Sequence, residues 1–301
     1  MNTLQKEKLT RALGALPVET DVPLSGLTSF RIGGPVSVLV RPETEEDFLL
    51  AMRAARSLEI PWKILGNGTN VLAPDEGYDG MLIRLDHPLF PVSVSGNVIR
   101  CSGGDSLASV SRIAAGSGLS GMEGLSGIPG TVGGAGAMNA GAFGAEMQQV
   151  LTKLRIFRDG EISDVTVRPG DFGKRFSVYS APGAVILAAE MTLREDDGTC
   201  LERMREFTER RKAKQPLEYP SAGSVFKRPE GRFAGGLIEQ CGLKGLTVGG
   251  ACVSTKHAGF IINTGNATCR DVRDLISKIQ NTVLAETGVS LERELKYWDE
   301  V

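Results

Sequence analysis

GSGLSGMEGLSGIPGTVGGAGAMNAGAFG occupies Gly116–Gly144. Eleven of the chain's 38 glycines fall in this stretch, and no charged residue lies between Glu123 and Glu146. Glycine loses more freedom on folding than any other residue and brings no side chain to pack. So dense a run implies a use for bare backbone: a ligand with phosphates or a flat ring, approached closely by many N–H groups. Glycine recurs every third residue from Gly118 to Gly136, but Pro129 is the sole proline and the period stops, which excludes a collagen helix. The uncharged window Leu125–Gly144 is too rich in glycine to be a membrane span. The interleaved Leu119, Met122, Leu125, Ile128, Val132, Met138 and Phe143 argue for burial rather than a disordered linker.

Upstream, residues 2–16 have helical spacing, with Leu4, Leu9, Leu13 and Leu16 on one side, and Pro17 to Pro23 breaks the pattern. Val36–Val40 reads as a strand. Thr44 is an N-cap with Asp47 three residues on, and Phe48, Ala51, Met52 and Ala55 share a helix face. Trp62–Leu65 is a strand running into GNGTN (Gly66–Asn70), and Met81–Leu85 is another, so this part reads as a βαβ unit. Val98–Cys101 is strand-like and Leu107–Ala115 helical.

Downstream, Val150–Phe157, Asp164–Val167 and Val185–Leu193 read as strands, with Asp159-Gly160 as a hairpin turn. Glu195–Gly198 is a charged break and the expected domain boundary. A charged helix, Leu201–Lys214, opens the last block. Thr268 caps a final helix whose buried face is Val272, Leu275, Ile276, Ile279 and Val283.

Composition sets outer bounds. At 301 residues there is room for about two domains and a real core. A net charge of −2 gives no bulk field for nucleic acid or an anionic membrane, so any phosphate binding is local. Five cysteines with no CxxC pair suggest reduced thiols in a cytoplasmic compartment, and MNTLQKEKLTRALG has no apolar h-region, so secretion is not expected. Only His87 and His257 are present, without paired ligand spacing, so no metal is expected.

Single motifs remain ambiguous. GNGTN after a strand suits a turn cradling a pyrophosphate, but also a simple loop. GSGLSG matches G-x-G-x-x-G literally, yet it follows a helix and lacks the acidic residue about 20 positions on, so a Rossmann site is rejected. In SAGSVFKRP, Ser224 with Lys227 and Arg228 nearby can act as an acid, since fixed positive charge eases loss of a proton; a turn with solvated basic residues is the bland reading. Arg175 in GKRFS can clamp a carboxylate, though lone arginines are usually surface residues. Glu294 lies in an alternating strand, where a structural ion pair is the default, and His257 fits a hydrogen-bonded core histidine.

Taken in chain order, the pieces TSFRIGG, LGNGTNVL, GLSGMEGLSGIPGTVGGAGAMNAGAFG, GKRFSVYS, QPLEYPSAGSVFKRP, LIEQCGLKGLTVGGACVSTKHAGFIIN and GVSLERELKYW resemble the UDP-N-acetylenolpyruvoylglucosamine reductase family of peptidoglycan synthesis. They span roughly residues 28–298, and the compact last block is similar to the shorter of the family's two types.

The resemblance implies an α+β protein. A two-part FAD-binding domain of the non-Rossmann (PCMH, vanillyl-alcohol-oxidase-like) type covers 1–85 and 86–198, and a C-terminal α+β substrate-binding domain covers 199–301. It places FAD against Arg31, Gly66, Asn67, Gly68, Thr69 and Asn70, and against Gly127, Ile128, Pro129, Gly130, Thr131, Gly133, Gly134, Asn139 and Gly141. NADPH reduces the flavin and leaves. Flavin N5 then delivers hydride to C3 of the enolpyruvyl sugar nucleotide, and Ser224 protonates C2. Arg175 and Glu294 match the positions that polarise the substrate carboxylate and stabilise the enolic intermediate. Lys214, Lys227, Arg228, Lys244 and His257 are implied in substrate binding. Three departures touch substrate contacts only: Lys174 where tyrosine is frequent, Gly259 for asparagine and Lys296 for arginine. A cytoplasmic monomer is expected, with no nucleic-acid or membrane partner. Two readings compete: another flavoprotein of this fold with a different substrate, and a sugar-nucleotide binder without catalysis. The set Ser224, Lys227 and Glu294 discriminates against the first, and a yellow flavin spectrum of the purified protein discriminates against the second.

Overall fold

The computed structural model describes residues 1–301. Two compact units form, each drawn from three stretches: Met1–Thr20, Ser37–Asn67 and Gly80–Arg211 in the first, Asp21–Val36, Gly68–Asp79 and Lys212–Val301 in the second.

In the first unit, Asn2 caps the helix Thr3–Leu13 in a reciprocal box with Gln5. Leu9, Leu13 and Leu16 of the expected stripe are buried and Leu4 is exposed. Thr44 caps Glu45–Ser57 with Asp47 as its partner, and Phe48, Ala51, Met52 and Ala55 face the core as expected. Strand Trp62–Leu65 runs parallel to Tyr78–Arg84, with Trp62 opposite Met81 and Leu65 opposite Arg84, so the intervening connection is the crossover that parallel pairing requires. The four-stranded sheet runs in the order Val18–Pro23, Pro35–Val40, Tyr78–Arg84, Trp62–Leu65. Its first member was not expected. The stretch after Pro17 breaks the helix and then forms an edge strand that is mostly exposed, so it lacks the apolar alternation that announces a half-buried strand.

A five-stranded antiparallel sheet follows in the order Glu161–Thr166, Leu151–Arg158, Val185–Thr192, Val98–Ser102, Ser93–Ser95. Asp159 and Gly160 both have positive φ, 55° and 91°, between the paired Arg158 and Glu161. That is the primed hairpin turn the dipeptide promised. Val185–Thr192 is central, and its first five residues are all buried, hence the apolar run Val185–Ala189. Leu119, Met122, Leu125 and Val132 of the glycine run join its core, beside Val110, Leu154 and Met191. Ile128 and Met138 are half-buried, and Phe143 departs from expectation: it is 40% exposed and stacks on Phe207. The helix Cys200–Lys214 is largely exposed, and only Cys200 and Met204 are buried.

In the second unit, strands Ser221–Ser224, Phe260–Asn263, Ala251–Val253 and Thr247–Val248 form an antiparallel sheet in that order. The helix Cys269–Thr287 is capped by Thr268 and Asp271 and ends on Gly288 in the left-handed region. It buries Val272, Leu275, Ile276, Ile279 and Val283. At about 1.5–3 kcal/mol per fully buried aliphatic side chain, that face stabilises the unit by roughly 10 kcal/mol before chain entropy is subtracted. Phe30, Ile32 and Leu72 share this core. Lys296–Tyr297 pairs in parallel with Val71–Leu72. All five cysteines are free thiols. No helix is long and apolar enough to cross a membrane, and no cluster of His, Cys, Asp or Glu side chains is arranged to hold a metal ion.

Candidate functional site

In the first unit, strand Trp62–Leu65 delivers Gly66 directly against the glycine run. A Cβ on Gly66 would stand 2.4 Å from Thr131 Oγ1, so only glycine allows this approach. Asn67 Nδ2 donates to Pro129 O at 2.9 Å, fixing the Gly66–Asn67 end of the turn to the loop Gly127–Thr131. Thr131 caps the short helix Val132–Ala137. The first N–H groups of that helix are consumed within the protein: Val132 N donates to Asp105 O, Gly133 N to Gly103 O and Gly134 N to Thr131 Oγ1. The loop before the helix is different. The N–H groups of Gly127, Gly130 and Thr131 donate to no group of the protein. An uncharged loop with unused N–H groups, approached by a glycine turn, fits a pyrophosphate.

Three contributors to this loop escaped the sequence reading. Gly103 and Asp105, in SGGDS after strand Val98–Ser102, accept the bonds that fold the run back. A glycine pair straight after a strand was the available signal. The other is Arg211, whose Nη1 lies 3.3 Å from where a Gly127 Cβ would be. Burial pulls its guanidinium below the usual arginine range.

Arg175 occupies the turn between Phe172–Gly173 and Phe176–Ser177, with φ of 57°. Its guanidinium donates to the glycine run: Nη2 to Gly141 O at 2.9 Å and Nη1 to Asn139 O at 3.4 Å. Asn139 was expected against FAD. It is fully buried, and its amide bonds to Gly173 O, Glu146 Oε2 and Gln148 N, so its side chain is committed to the protein. Arg31, Asn139 and Arg175, three expected site residues, are among the seven non-glycine residues with positive φ. Such conformations cost on the order of 1–3 kcal/mol each and concentrate at functional sites.

The second unit holds Ser224 and Glu294. In an unbroken strand Ser224 would share the buried face of Ala222. A bulge between Ser221 and Ser224, with Gly223 at φ 76°, turns Ser224 to the exposed side while Val225 and Phe226 stay buried. Glu294 N donates to Val225 O at 2.8 Å, and Leu295 N donates to the same oxygen at 3.2 Å. One acceptor serving two successive N–H groups interrupts any ladder, so Glu294 is not in the expected alternating strand; regular pairing begins only at Lys296. Asn70 binds this segment twice: its Nδ2 donates to Glu294 O at 3.2 Å, and its own O accepts from Lys296 N at 3.1 Å.

Ser29 joins three motifs, its Oγ donating to Ser221 O at 2.7 Å and contacting Gly68 O at 3.4 Å. The exposed Arg31 follows in the left-handed region, and the buried Asn263 donates to Phe30 O at 3.1 Å to hold that turn. Neither Ser29 nor Asn263 was singled out from sequence. A serine or asparagine inside a longer motif gives no sign that its partner lies 192 or 233 residues away.

Of the expected substrate cations, Lys227 pairs with Glu292, Arg228 stacks over Phe233 at 3.9 Å, and Lys244 pairs with Glu239 at 2.6 Å. His257 is half-buried against Phe260, and its Nδ1 accepts from Gly259 N at 3.1 Å. Burial first, then Lys244 and Lys214, hold the imidazole below its ordinary pKa. It is neutral near pH 7, with Nε2 as its donor. At the substituted Gly259, a Cβ would stand 3.0 Å from His257 Cε1, so a larger residue would displace this ring.

Two family models match different parts of the chain. A family model described as "FAD binding domain" matches residues 36–166, and one described as "UDP-N-acetylenolpyruvoylglucosamine reductase, C-terminal domain" matches residues 215–298. The chain is 42% identical over 290 residues to UDP-N-acetylenolpyruvoylglucosamine reductase of Alkaliphilus oremlandii, covering 96% of this chain and 95% of that one. It is 44% identical to UDP-N-acetylenolpyruvoylglucosamine reductase 2 of Symbiobacterium thermophilum, over 92% of this chain and 90% of that one. The crystal structure of the reductase from Thermus caldophilus superposes with a TM-score of 0.80 at 36% identity, covering 94% of this chain and 99% of that one. A berberine bridge enzyme variant shares the fold alone, with a TM-score of 0.50 at 16% identity over 62% of this chain and 43% of that one.

Proposed function

This chain belongs to the UDP-N-acetylenolpyruvoylglucosamine reductase family, and from that premise we propose that it reduces UDP-N-acetyl-3-O-(1-carboxyvinyl)glucosamine with NADPH to UDP-N-acetylmuramate. Membership makes it an FAD-dependent oxidoreductase of peptidoglycan synthesis. The donor, the residue roles, a cytoplasmic location and a monomeric state are our reading. So is the division into FAD-binding subdomains at 1–85 and 86–198 and a substrate-binding domain at 199–301.

When bound, FAD supplies hydride to C3 of the enolpyruvyl group after accepting it from NADPH. Gly66, Asn67 and Gly127–Thr131 are the residues that fit its pyrophosphate, with Arg211 beside Gly127 as the nearby cation. Ser224 donates the proton at C2. A hydroxyl is a weak acid, so the step needs the negative charge on the substrate carboxylate to be held in place. Arg175 holds that carboxylate as a guanidinium fork. Glu294 stabilises the enolic form. Lys214 and Lys244, whose charges both act on His257, suit the sugar-nucleotide diphosphate together with it; Lys227 and Arg228 are further candidates.

The observation that carries this reading is the bulge at Gly223, which exposes Ser224 next to the residue whose carbonyl receives Glu294 N. Stopped-flow flavin absorbance tests it. NADPH should bleach the flavin, and the enolpyruvyl sugar nucleotide should restore its colour. Reoxidation that ignores this substrate would favour a different one, and purified protein without a flavin spectrum would sink the enzyme reading.

A further inference from the structure

Asn139 lies at the turn that ends the glycine run's short helix, and none of its polar groups is left for a ligand. Its Nδ2 donates to Gly173 O at 3.0 Å and Glu146 Oε2 at 3.2 Å, its Oδ1 accepts from Gln148 N at 3.0 Å, and its backbone O accepts from Arg175 Nη1. An amide offers two donors and one acceptor oxygen, and all are in use. The residue is wholly buried and sits at φ 42°, a conformation kept only where the surroundings fix it.

Those surroundings are the turn carrying Arg175. Gly173 is paired with Phe176 across the two-residue turn Lys174–Arg175, so the bond from Asn139 grips the base of that turn. Ser177 Oγ grips the other side by donating to Ala137 O at 2.9 Å. The carbonyls of Asn139 and Gly141 then take the two terminal guanidinium nitrogens, fixing the plane of the fork. We propose that Asn139 is a positioning residue for Arg175: it sets the backbone of the turn through Gly173 and the guanidinium through its own carbonyl, and it does not bind FAD. A flexible arginine must otherwise lose its rotamer freedom as the substrate carboxylate is engaged. A fork oriented in advance avoids that loss when charge develops on the carboxylate.

The inference rests on the carboxylate role proposed for Arg175, and the test separates the two. Asn139→Asp keeps the shape but sets a carboxylate oxygen against Gly173 O and Glu146. Asn139→Gly removes the amide while tolerating the left-handed backbone, which guards against a variant that fails to fold. In both, FAD affinity and flavin reduction by NADPH should stay within about twofold, while reoxidation by the enolpyruvyl sugar nucleotide slows roughly 10–100-fold, the scale of a misplaced catalytic group. In an Arg175→Met background, either change should add less than about a twofold loss, because the effect passes through Arg175. FAD binding weakened tenfold, equal loss in both half-reactions or fully additive losses would overturn the inference. Slow Arg175→Met beside an unimpaired Asn139→Gly would overturn it alone, whereas unimpaired Arg175→Met would remove the carboxylate role and the inference together.

Discussion

Gly66 and Thr131 meet so closely that a Cβ on Gly66 would stand 2.4 Å from Thr131 Oγ1. Thr131 cannot withdraw freely, since that oxygen also accepts Gly134 N–H at the start of the short helix. Gly66→Ala should therefore push apart the turn and the loop whose N–H groups are unused. We expect FAD to bind at least about tenfold more weakly, with an overpacking cost to stability of roughly 1–3 kcal/mol. Fluorescence titration of the apoprotein with FAD checks this, and an unchanged dissociation constant would place the cofactor elsewhere.

Ser224→Ala removes only the proton donor. Flavin reduction by NADPH should be nearly unaffected, while reoxidation by the enolpyruvyl sugar nucleotide should slow by about 10²–10⁴-fold, the usual worth of positioned acid catalysis. Rapid-mixing absorbance separates the two half-reactions, and equal loss in both would count against serine as the acid.

Gly223→Ala probes the aim of the same hydroxyl. Nothing lies within 4 Å of a Cβ there, so the penalty comes from φ 76° alone, about 1–2 kcal/mol for an L-residue. The strand can relieve it by losing its bulge, which would turn Ser224 towards the buried face of Ala222. Slowed reoxidation with Ser224 still present is the expected result; melting temperature and half-reaction rates report the two effects separately.

His257 gives a pH signature. Its folded pKa lies below the ordinary imidazole value of about 6.5 because burial and the nearby Lys244 and Lys214 oppose a charge. The unfolded chain therefore binds more protons in the acid window. The neutral histidine's stabilising contribution is complete above about pH 6.5 and is lost as pH falls towards the folded pKa. His257→Gln lacks this linkage, so the stability gap between wild type and variant should narrow from pH 7.5 to pH 5. Urea melts at the two pH values measure it, and a gap that widens in acid would reverse the assigned shift.

Elements with a strong local signal were legible in the sequence. The five-residue apolar face of Cys269–Thr287, the capped helix after Thr44 and the Asp159–Gly160 turn follow from spacing, capping and turn chemistry. The glycine run was legible as bare backbone in use, but its literal G-x-G-x-x-G at Gly116–Gly121 marks only a helix end and the strand Leu119–Ser120. What stayed hidden depends on distant partners. Phe30 and Leu72 share a core with Ile276, and Ser29 bridges Gly68 and Ser221; no window of neighbouring residues contains such facts. The exposed edge strand Val18–Pro23 buries too little to leave a pattern.

Arg211 belongs to that hidden set, within a helix segment that reads simply as basic. Its guanidinium lies against Gly127, at the start of the loop with unused N–H groups, and burial already disfavours its charge. A half-buried guanidinium against a loop with unused N–H groups suits a phosphate, and the FAD pyrophosphate is the anion this loop fits. Arg211→Met keeps most of the packing volume and removes the charge. A hydrogen bond to a charged group contributes about 1.5–3 kcal/mol, so FAD should bind roughly 10–150-fold more weakly. Arg211→Lys should fall between the two, because a point charge replaces the planar fork but still attracts phosphate. The flavin midpoint potential separates this contact from one at the isoalloxazine. Cation loss at the pyrophosphate leaves the potential nearly unchanged, whereas cation loss beside the ring makes the reduced, anionic flavin harder to form and lowers it. A lowered potential with unchanged FAD affinity would move Arg211 from the pyrophosphate to the ring.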